Sequence, residues 1–330
     1  MTSSQINELF DQFNTKKVLI IGDVMIDAYL WGKVERISPE APVPVVAVKK
    51  KDHRLGGAAN VAMNVANLGA TPMLCSVIGN GSNANLFADL LRESGISDEW
   101  LVKSSDRPTT IKTRVIGGHQ QMMRIDEEVT NGLTAEEQKA LTQVVMKAVH
   151  DCDIMVFEDY DKGVLGQPLI TEFIEMARKL DKIILVDPKK KNFLHYKGAT
   201  VFKPNLKELQ EGLKLDLPTD FSIEAVSIAA RKLREVLEAE TAMITLSEHG
   251  VFIGNDQVEH HIEAHKRDIF DVSGAGDTVI AISSILLACG IDIKHVAEIA
   301  NLGGGLVCEK VGVVPINKEA LRQEALKLFA

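Results

Sequence analysis

The sequence holds no apolar run long enough to cross a bilayer. Its most apolar window, residues 278–289, falls well short of the roughly 20 residues that a spanning helix needs. Residues 1–13 are polar and amphipathic and lack the apolar core of a signal peptide. Positive charge is not in excess either. A net charge of −9 argues against non-specific binding to nucleic acid or to an anionic membrane. An anionic substrate therefore needs local cations. Cys75, Cys152, Cys289 and Cys308 contain no C-x-x-C pair and read as reduced, mostly buried thiols of a cytoplasmic protein. His260, His261 and His265 fall in strand and loop without cysteine partners, a poor pattern for zinc. Internal repeats, low-complexity tracts and long linkers are lacking as well.

What is present is an alternation of short apolar runs with helical periods. Residues 17–22, 73–78, 154–157, 183–186, 199–202 and 242–246 read as strands, the first of them as a buried parallel strand. Helices are expected over 61–68, 85–94, 134–149, 167–180, 224–238, 292–307 and 318–328, and from the 271–277 segment to residue 288 or 289. Such βα alternation means an α/β fold, a doubly wound parallel sheet with helices on both faces. Two stretches break the pattern. Residues 28–50 and 109–126 are β-rich with no connecting helix, and Pro39, Pro42 and Pro44 keep helix out of the first. They are expected to form a small β layer standing off the main sheet, inserted in a single domain over 1–330.

Chemistry concentrates in Asp271-Val-Ser-Gly-Ala-Gly-Asp277. Gly274 and Gly276 let the backbone approach a ligand closely, and the first N–H groups of the following helix have no internal partner. This helix start can hold an anion, with the Asp277 carboxylate beside it. Oriented amides next to an acid suit transfer of a phosphoryl group onto a hydroxyl: Gly274, Ala275 and Gly276 hold the moving charge and Asp277 takes the proton. A tight turn followed by ordinary dipole complementation is the bland alternative.

Earlier in the chain, Gly56-Gly-Ala-Ala-Asn60 opens a helix. Gly56 and Gly57 let a small polar ligand touch the backbone, and Asn60 can donate to and accept from hydroxyls; close helix packing is the competing reading. Asp23 and Asp27 follow the first strand, as ligand groups or as turn and cap residues. Polar residues also follow later strand ends: Glu158, Asp159, Tyr160 and Lys162; Asp187 and Lys189; Lys203 and Asn205. Asn205-Leu-Lys-Glu208 has the spacing of a capping box, and the same spacing could hold hydrated Mg²⁺ or a phosphate. Lys112, Arg114 and Arg124 alternate on the second β-rich stretch, so some can share a face.

Taken together, these segments resemble the ribokinase-like (PfkB) carbohydrate kinases over nearly the whole chain. Gly56 to Ala62, with Gly69 and Gly79, is similar to the family's N-terminal signature, and Asp271 to Asp277 to its C-terminal one. Within the family the resemblance is strongest to kinases of D-glycero-D-manno-heptose 7-phosphate, carried by the stretches 22–27, 37–46, 56–69, 159–163, 187–189, 204–208 and 271–280. It implies an ATP- and Mg²⁺-dependent enzyme phosphorylating the O1 hydroxyl, and admits a monovalent cation. Asp277 would be the base. Asp27, Gly56, Gly57 and Asn60 would bind the sugar, with Arg54, Lys112, Arg124 and Lys162 as candidates for its phosphate. Asn205, Leu206, Lys207, Glu208, Ser247, Gly250 and Asn301 would serve the nucleotide, Asn205 and Glu208 also the metal. The β layer would be a lid and a homodimer contact. Another sugar or nucleoside kinase, or a non-catalytic sensor, are the alternatives. Departures exist: Ser273 replaces the usual Thr, Gly303-Gly-Gly305 replaces alanines, and no His-x-Gly-His nucleotidyl-transfer motif occurs.

Overall fold

The computed structural model of the protein describes residues 1–118, 120–218 and 220–329. Along the chain come α1 (Ser3–Gln12), β1 (Lys17–Gly22), β2 (Val24–Ile37), β3 (Pro44–Gly57), α2 (Ala58–Asn67), β4 (Thr71–Ile78), α3 (Ser82–Glu93) and β5 (Leu101–Lys103). Then follow β6 (Thr110–Gly117), β7 (Gln120–Glu127), α4 (Ala135–Asp151), β8 (Ile154–Glu158), α5 (Gln167–Lys179), β9 (Ile183–Asp187) and β10 (Val201–Phe202). The last are α6 (Leu206–Leu213), α7 (Ile223–Leu237), β11 (Thr241–Thr245), β12 (Val251–Gly254), β13 (Glu259–Ile262), α8 (Ala275–Ala288), α9 (Ile293–Cys308) and α10 (Lys318–Leu328).

Among the described residues, nine strands form the main sheet in the order β13-β12-β11-β10-β9-β8-β1-β4-β5. All neighbours from β11 through β5 are parallel, while β12 and β13 run antiparallel at one edge. The sequence of β1 explains its central place. Val18 and Ile20 face one apolar cluster and Leu19 and Ile21 the other, so the strand is buried on both sides. Helices α1, α2, α8, α9 and α10 fill the first cluster; α4, α5 and α7 fill the second. The chain winds from β1 to β4 and β5 in one direction and from β8 to β11 in the other. The strand order thus reverses at β1, and the crevice beyond the carboxyl ends of β1 and β8 is where ligands of such sheets bind.

Local signals set the helix starts. Thr134 and Glu137 form a reciprocal capping box on α4, and Ser222 and Asn317 cap α7 and α10. Each cap satisfies N–H groups that the helix cannot serve itself.

The second sheet has the order β3-β2-β6-β7. Asp23 alone separates β1 from β2. The chain leaves the main sheet there and returns at Ala58, whose N–H donates to the Asp23 carbonyl at 3.0 Å. These strands reach further than the sequence reading, with its β layer over 28–50 and 109–126, places them. Val24, Met25 and Ile26 are buried strand formers with no turn residue among them, so pairing starts right after Asp23. Asp27 is therefore neither a turn nor a cap residue; it lies inside β2, opposite Arg54. Helix α1 and the three-residue β5 have no counterpart in the sequence reading.

Gly22 shows how tightly the crevice is built. It pairs with Glu158, and any Cβ there would run into the Glu158 carbonyl, a backbone atom that cannot step aside. Gly22→Ala is expected to destabilise the fold by about 1–3 kcal/mol, as overpacking does. Gly132→Ala, where a Cβ meets open space, should stay within about 0.5 kcal/mol of wild type. Denaturant midpoints of the two variants check this.

Candidate active site

Three neighbouring strands end in register with ionisable residues. Glu158 closes β8, Asp187 closes β9 beside it, and Lys203 follows β10 with its N–H on the Val186 carbonyl at 2.8 Å. Each lies two positions beyond a residue of the first apolar cluster (Val156, Leu185, Val201), and period-2 alternation turns all three toward α8. Lys203 Nζ pairs with Asp187 Oδ2 at 2.7 Å, both almost fully buried. A Cβ on Gly276 would sit 3.9 Å from both partners, so the first turn of α8 lies directly over this ion pair. Burial works against the Lys203 charge, but the Asp187 carboxylate outweighs it and raises the lysine's pKa. Glu158 has no such partner. Neither of its carboxylate oxygens finds a hydrogen bond among the described residues. Burial, then the Asp187 and Asp277 charges, push its carboxyl well above the usual range.

Helix α8 starts at Gly274, whose φ of 78° is left-handed and favours glycine. The first helical bond runs from Thr278 N–H to Gly274 O at 3.0 Å, while Ala275 N–H turns back to Val272 O at 3.2 Å. The open amides of this turn are therefore those of Gly274, Gly276 and Asp277. The Ala275 amide, expected to be open as well, is engaged in the turn.

Asp277 stands in that first turn, 6 % exposed. Asn60 Nδ2 donates to Oδ2 at 2.6 Å and the Tyr160 hydroxyl donates to Oδ1 at 2.7 Å. Burial raises the pKa of Asp277; the Asn60 and Tyr160 hydrogen bonds oppose the rise. The two glycine motifs, more than 200 residues apart, meet here: a Cβ on Gly274 would lie 3.0 Å from Asn60 Nδ2. Asn60 is aimed by α2, which starts after Gly57 at a φ of 61°. Asn64, one turn on, donates to the Asn60 carbonyl at 2.9 Å and accepts the Ile316 N–H at 2.9 Å. At Gly56 the nearest atom to a Cβ would be an Asp27 carboxylate oxygen, so these two residues adjoin, and Gly57 leads from them into the helix that carries Asn60. Asp27 itself is held by Arg114, which lies with Arg54 against the Tyr29 ring.

The four cations considered for a substrate phosphate each have an acidic partner. Arg54 pairs with Asp52, Arg124 with Asp126 on the exposed side of β7, and Lys112 and Lys162 converge on Glu128, both at 2.8 Å. On the nucleotide side, Asn205 bridges to Thr245, which brings it next to the turn holding Ser247 (φ 53°) and Gly250 (φ 85°). Asn301 Nδ2 ties α9 to the Glu263 carbonyl at 2.9 Å. Two further residues expected on the nucleotide side, Leu206 and Lys207, diverge in direction. Leu206 packs into the second apolar cluster, and Lys207 points into solvent, 82 % exposed, because consecutive helical side chains diverge by about a quarter turn or more.

Asn205 and Glu208 form a complete capping box: Oδ1 of Asn205 accepts the Glu208 N–H at 2.8 Å, and Oε2 of Glu208 accepts the Asn205 N–H at 2.9 Å. Glu208 Oε1 is also paired with Lys189 at 2.6 Å. Among the described residues no cluster of three or more His, Cys, Asp or Glu side chains could hold a metal. These donors fit a hydrated ion carried on nucleotide phosphates, and do not fit an ion enclosed by protein.

Glu158 and Lys203 were visible in the sequence only as polar residues after strands, while Tyr160 and Asp187 also lay in stretches that carry the family resemblance. Those were the available signals; the two contacts to Asp277 were not. Asn64 gave no signal beyond its proximity to recognised residues, and Arg114 was visible only as one of three alternating cations.

The family model described as pfkB family carbohydrate kinase matches residues 15–320. The bifunctional protein HldE of Methylobacillus flagellatus is 43 % identical over 93 % of this chain and 62 % of its own length. That of Desulfatibacillum aliphaticivorans is 40 % identical over 94 % of this chain and 63 % of its own, and that of Helicobacter pylori J99 38 % over 90 % and 64 %. The chain thus spans less than two thirds of the length of these relatives. In structure it is similar to phosphofructokinase-2 from Escherichia coli in complex with potassium (TM-score 0.80, 17 % identity, 96 % of this chain and 99 % of that one). It is also similar to Arabidopsis thaliana ribokinase complexed with ribose and ATP (TM-score 0.74, 15 % identity, 94 % and 99 %). At these identities the structures share the ribokinase-like fold.

Asp23 supplies the pH dependence to test. Its buried carboxylate accepts the N–H groups of Tyr160, Lys162 and Val164 at 2.9, 3.1 and 2.9 Å. Burial and then the Asp159 charge outweigh these bonds and push its pKa from 3.8 up to about 6. The folded state therefore holds this proton more tightly than the unfolded chain does. The stability it contributes is full below pH 4 and is lost as pH rises through 6. Asp23→Asn is expected to remove a change on the order of 2–3 kcal/mol between pH 4 and 7, read from denaturation curves at each pH.

Proposed function

Since the chain belongs to the pfkB family of carbohydrate kinases, we propose that it transfers the γ-phosphoryl group of ATP to the O1 hydroxyl of D-glycero-D-manno-heptose 7-phosphate. One observation carries the reading. The Asp277 carboxylate, hydrogen-bonded to Asn60, stands in the same helical turn as open backbone amides.

In this mechanism the acceptor hydroxyl lies against Asp27, Gly56, Gly57 and Asn60. Asp277 removes its proton as the oxygen attacks the γ-phosphorus and the bond to the β–γ bridging oxygen breaks, releasing ADP. The amides of Gly274, Gly276 and Asp277 receive the phosphoryl oxygens, helped by the positive end of α8. Lys203 and Lys189 add positive charge below and beside that turn. When bound with the nucleotide, Mg²⁺ supplies charge neutralisation at the phosphates, and Asn205 and Glu208 would meet its water shell. Ser247, Gly250 and Asn301 border the nucleotide side. A monovalent cation remains part of the proposal; Asp271 orders its loop by accepting the N–H groups of Ser273 and Gly312 at 2.9 and 2.8 Å.

The second sheet serves as a lid in this reading, because an open site would let water take the phosphoryl group. It also presents exposed apolar side chains, among them Val34, Ile37, Met123 and Ile125. Such a patch suits a second copy of the chain, so a homodimer paired through this sheet is proposed. A cytoplasmic location fits the three buried thiols, and no described helix is long and apolar enough to cross a membrane.

Two outcomes check the proposal. Asp277→Asn should bind ATP as the wild type does yet lose roughly 10²-fold or more in kcat, the scale of general-base help; activity within about threefold of wild type removes Asp277 as the base. In an ADP-release assay over a panel of sugars, heptose 7-phosphate should give the highest kcat/KM, ahead of ribose, fructose and adenosine. A higher value for any of those reassigns the substrate.

A further inference from the structure

Asp277, in the first turn of α8, is also held from the end of β8. Tyr160 follows Glu158 and Asp159 into a loop that three hydrogen bonds hold to one carboxylate. Asp23 accepts the N–H groups of Tyr160, Lys162 and Val164, so the backbone of Tyr160 is anchored at the crossing from the main sheet to the second one. Its ring carries Lys189 Nζ 5.2 Å from the centroid. Its hydroxyl ends 2.7 Å from Asp277 Oδ1, on the oxygen that Asn60 leaves free. Tyr160 is half-buried, and among the described residues its hydroxyl donates to this carboxylate alone. Burial, and then the Asp277 charge, push the Tyr160 pKa well above its ordinary value, so it stays a donor throughout the working pH range.

We propose that Tyr160 is a positioning residue for the base, holding Asp277 Oδ1 while Asn60 holds Oδ2, so that the carboxylate has one orientation and remains ionised. Two donors on two oxygens remove the freedom of the carboxyl group to rotate. Each oxygen keeps a second lone pair, and on Oδ1 that lone pair is left for the acceptor hydroxyl.

The ionised form needs this support because its other surroundings are divided. Asp187 from β9 faces Asp277 with like charge and Glu158 from β8 adds another acid; Lys203 beyond β10 and Lys189 beyond β9 face the same pocket with opposite charge, but Lys203 is committed to Asp187 and Lys189 to Glu208. Asn60 from α2 and Tyr160 donate to Asp277 directly. Without the tyrosine hydroxyl, a carboxylate in a buried and mostly acidic pocket takes up a proton more readily.

The inference rests on the kinase reading only for its kinetic arm. The direct arm is a ¹³C-carboxyl titration of the ligand-free protein, with the Asp277 signal identified by its absence in Asp277→Asn. In Tyr160→Phe the Asp277 pKa should rise by about one unit or more, the size expected for a lost hydrogen bond to a charged group. In the kinetic arm, the acid limb of the kcat profile should move up by the same amount, with kcat at neutral pH down about tenfold and ATP affinity within about twofold. An Asp277 titration that overlays wild type overturns the proposal. So does loss of ATP binding in Tyr160→Phe, since a structural role then suffices. Absence of turnover in the wild type with every substrate of the panel would instead sink the kinase reading, and the titration would still decide the role of Tyr160.

Discussion

A carboxylate taken out of water has to be given donors or it will take a proton. Asp277 is nearly inaccessible, and it receives its two hydrogen bonds from segments 117 and 217 residues away along the chain. Much of the architecture can be read as the means of bringing those donors in. Helix α2 has to lie against α8 with only small or narrow side chains between them, and so Ala58, Ala59 and Ala62 line its buried side. The loop after β8 has to reach the same carboxylate, and Asp23 holds it there.

The charges beneath that turn follow the same logic. A buried ion pair such as Asp187–Lys203 adds little net stability, since the desolvation of both groups offsets their attraction. Its position directly under the open amides of α8 gives it a different use. It supplies a fixed, water-free field where negative charge has to be accepted, which a solvent-exposed lysine could not do. Glu158 is the cost of this arrangement in the free protein: a third acid in register with the pair, with no partner for either oxygen among the described residues.

The second sheet grows out of the main one at a single residue. Asp23 stands between two strands, its carbonyl receives the chain back at Ala58, and its carboxylate anchors the loop of Tyr160. One side chain thus links the crossing between the sheets to the geometry of the base. Arg54 adds a further tie by donating to the Val313 carbonyl at 2.8 Å, so the second sheet also touches the segment that closes over Asp271.

The sequence by itself determined the layered architecture. Aliphatic runs such as 18–21 can only be buried on two faces, and the helical periods between them supply the covering layers. Both glycine motifs, the Asn60 and Asp277 side chains and the capping box at Asn205 were legible for the same reason: each is a short-range pattern whose physics is complete within a few residues. The tertiary structure alone decided which strand ends stand side by side. Register across β8, β9 and β10 places Glu158, Asp187 and Lys203 in one row, gives Tyr160 its acceptor, and turns Leu206 inward and Lys207 outward. Those outcomes depend on contacts between residues far apart along the chain, and no local period encodes the partner of a buried charge.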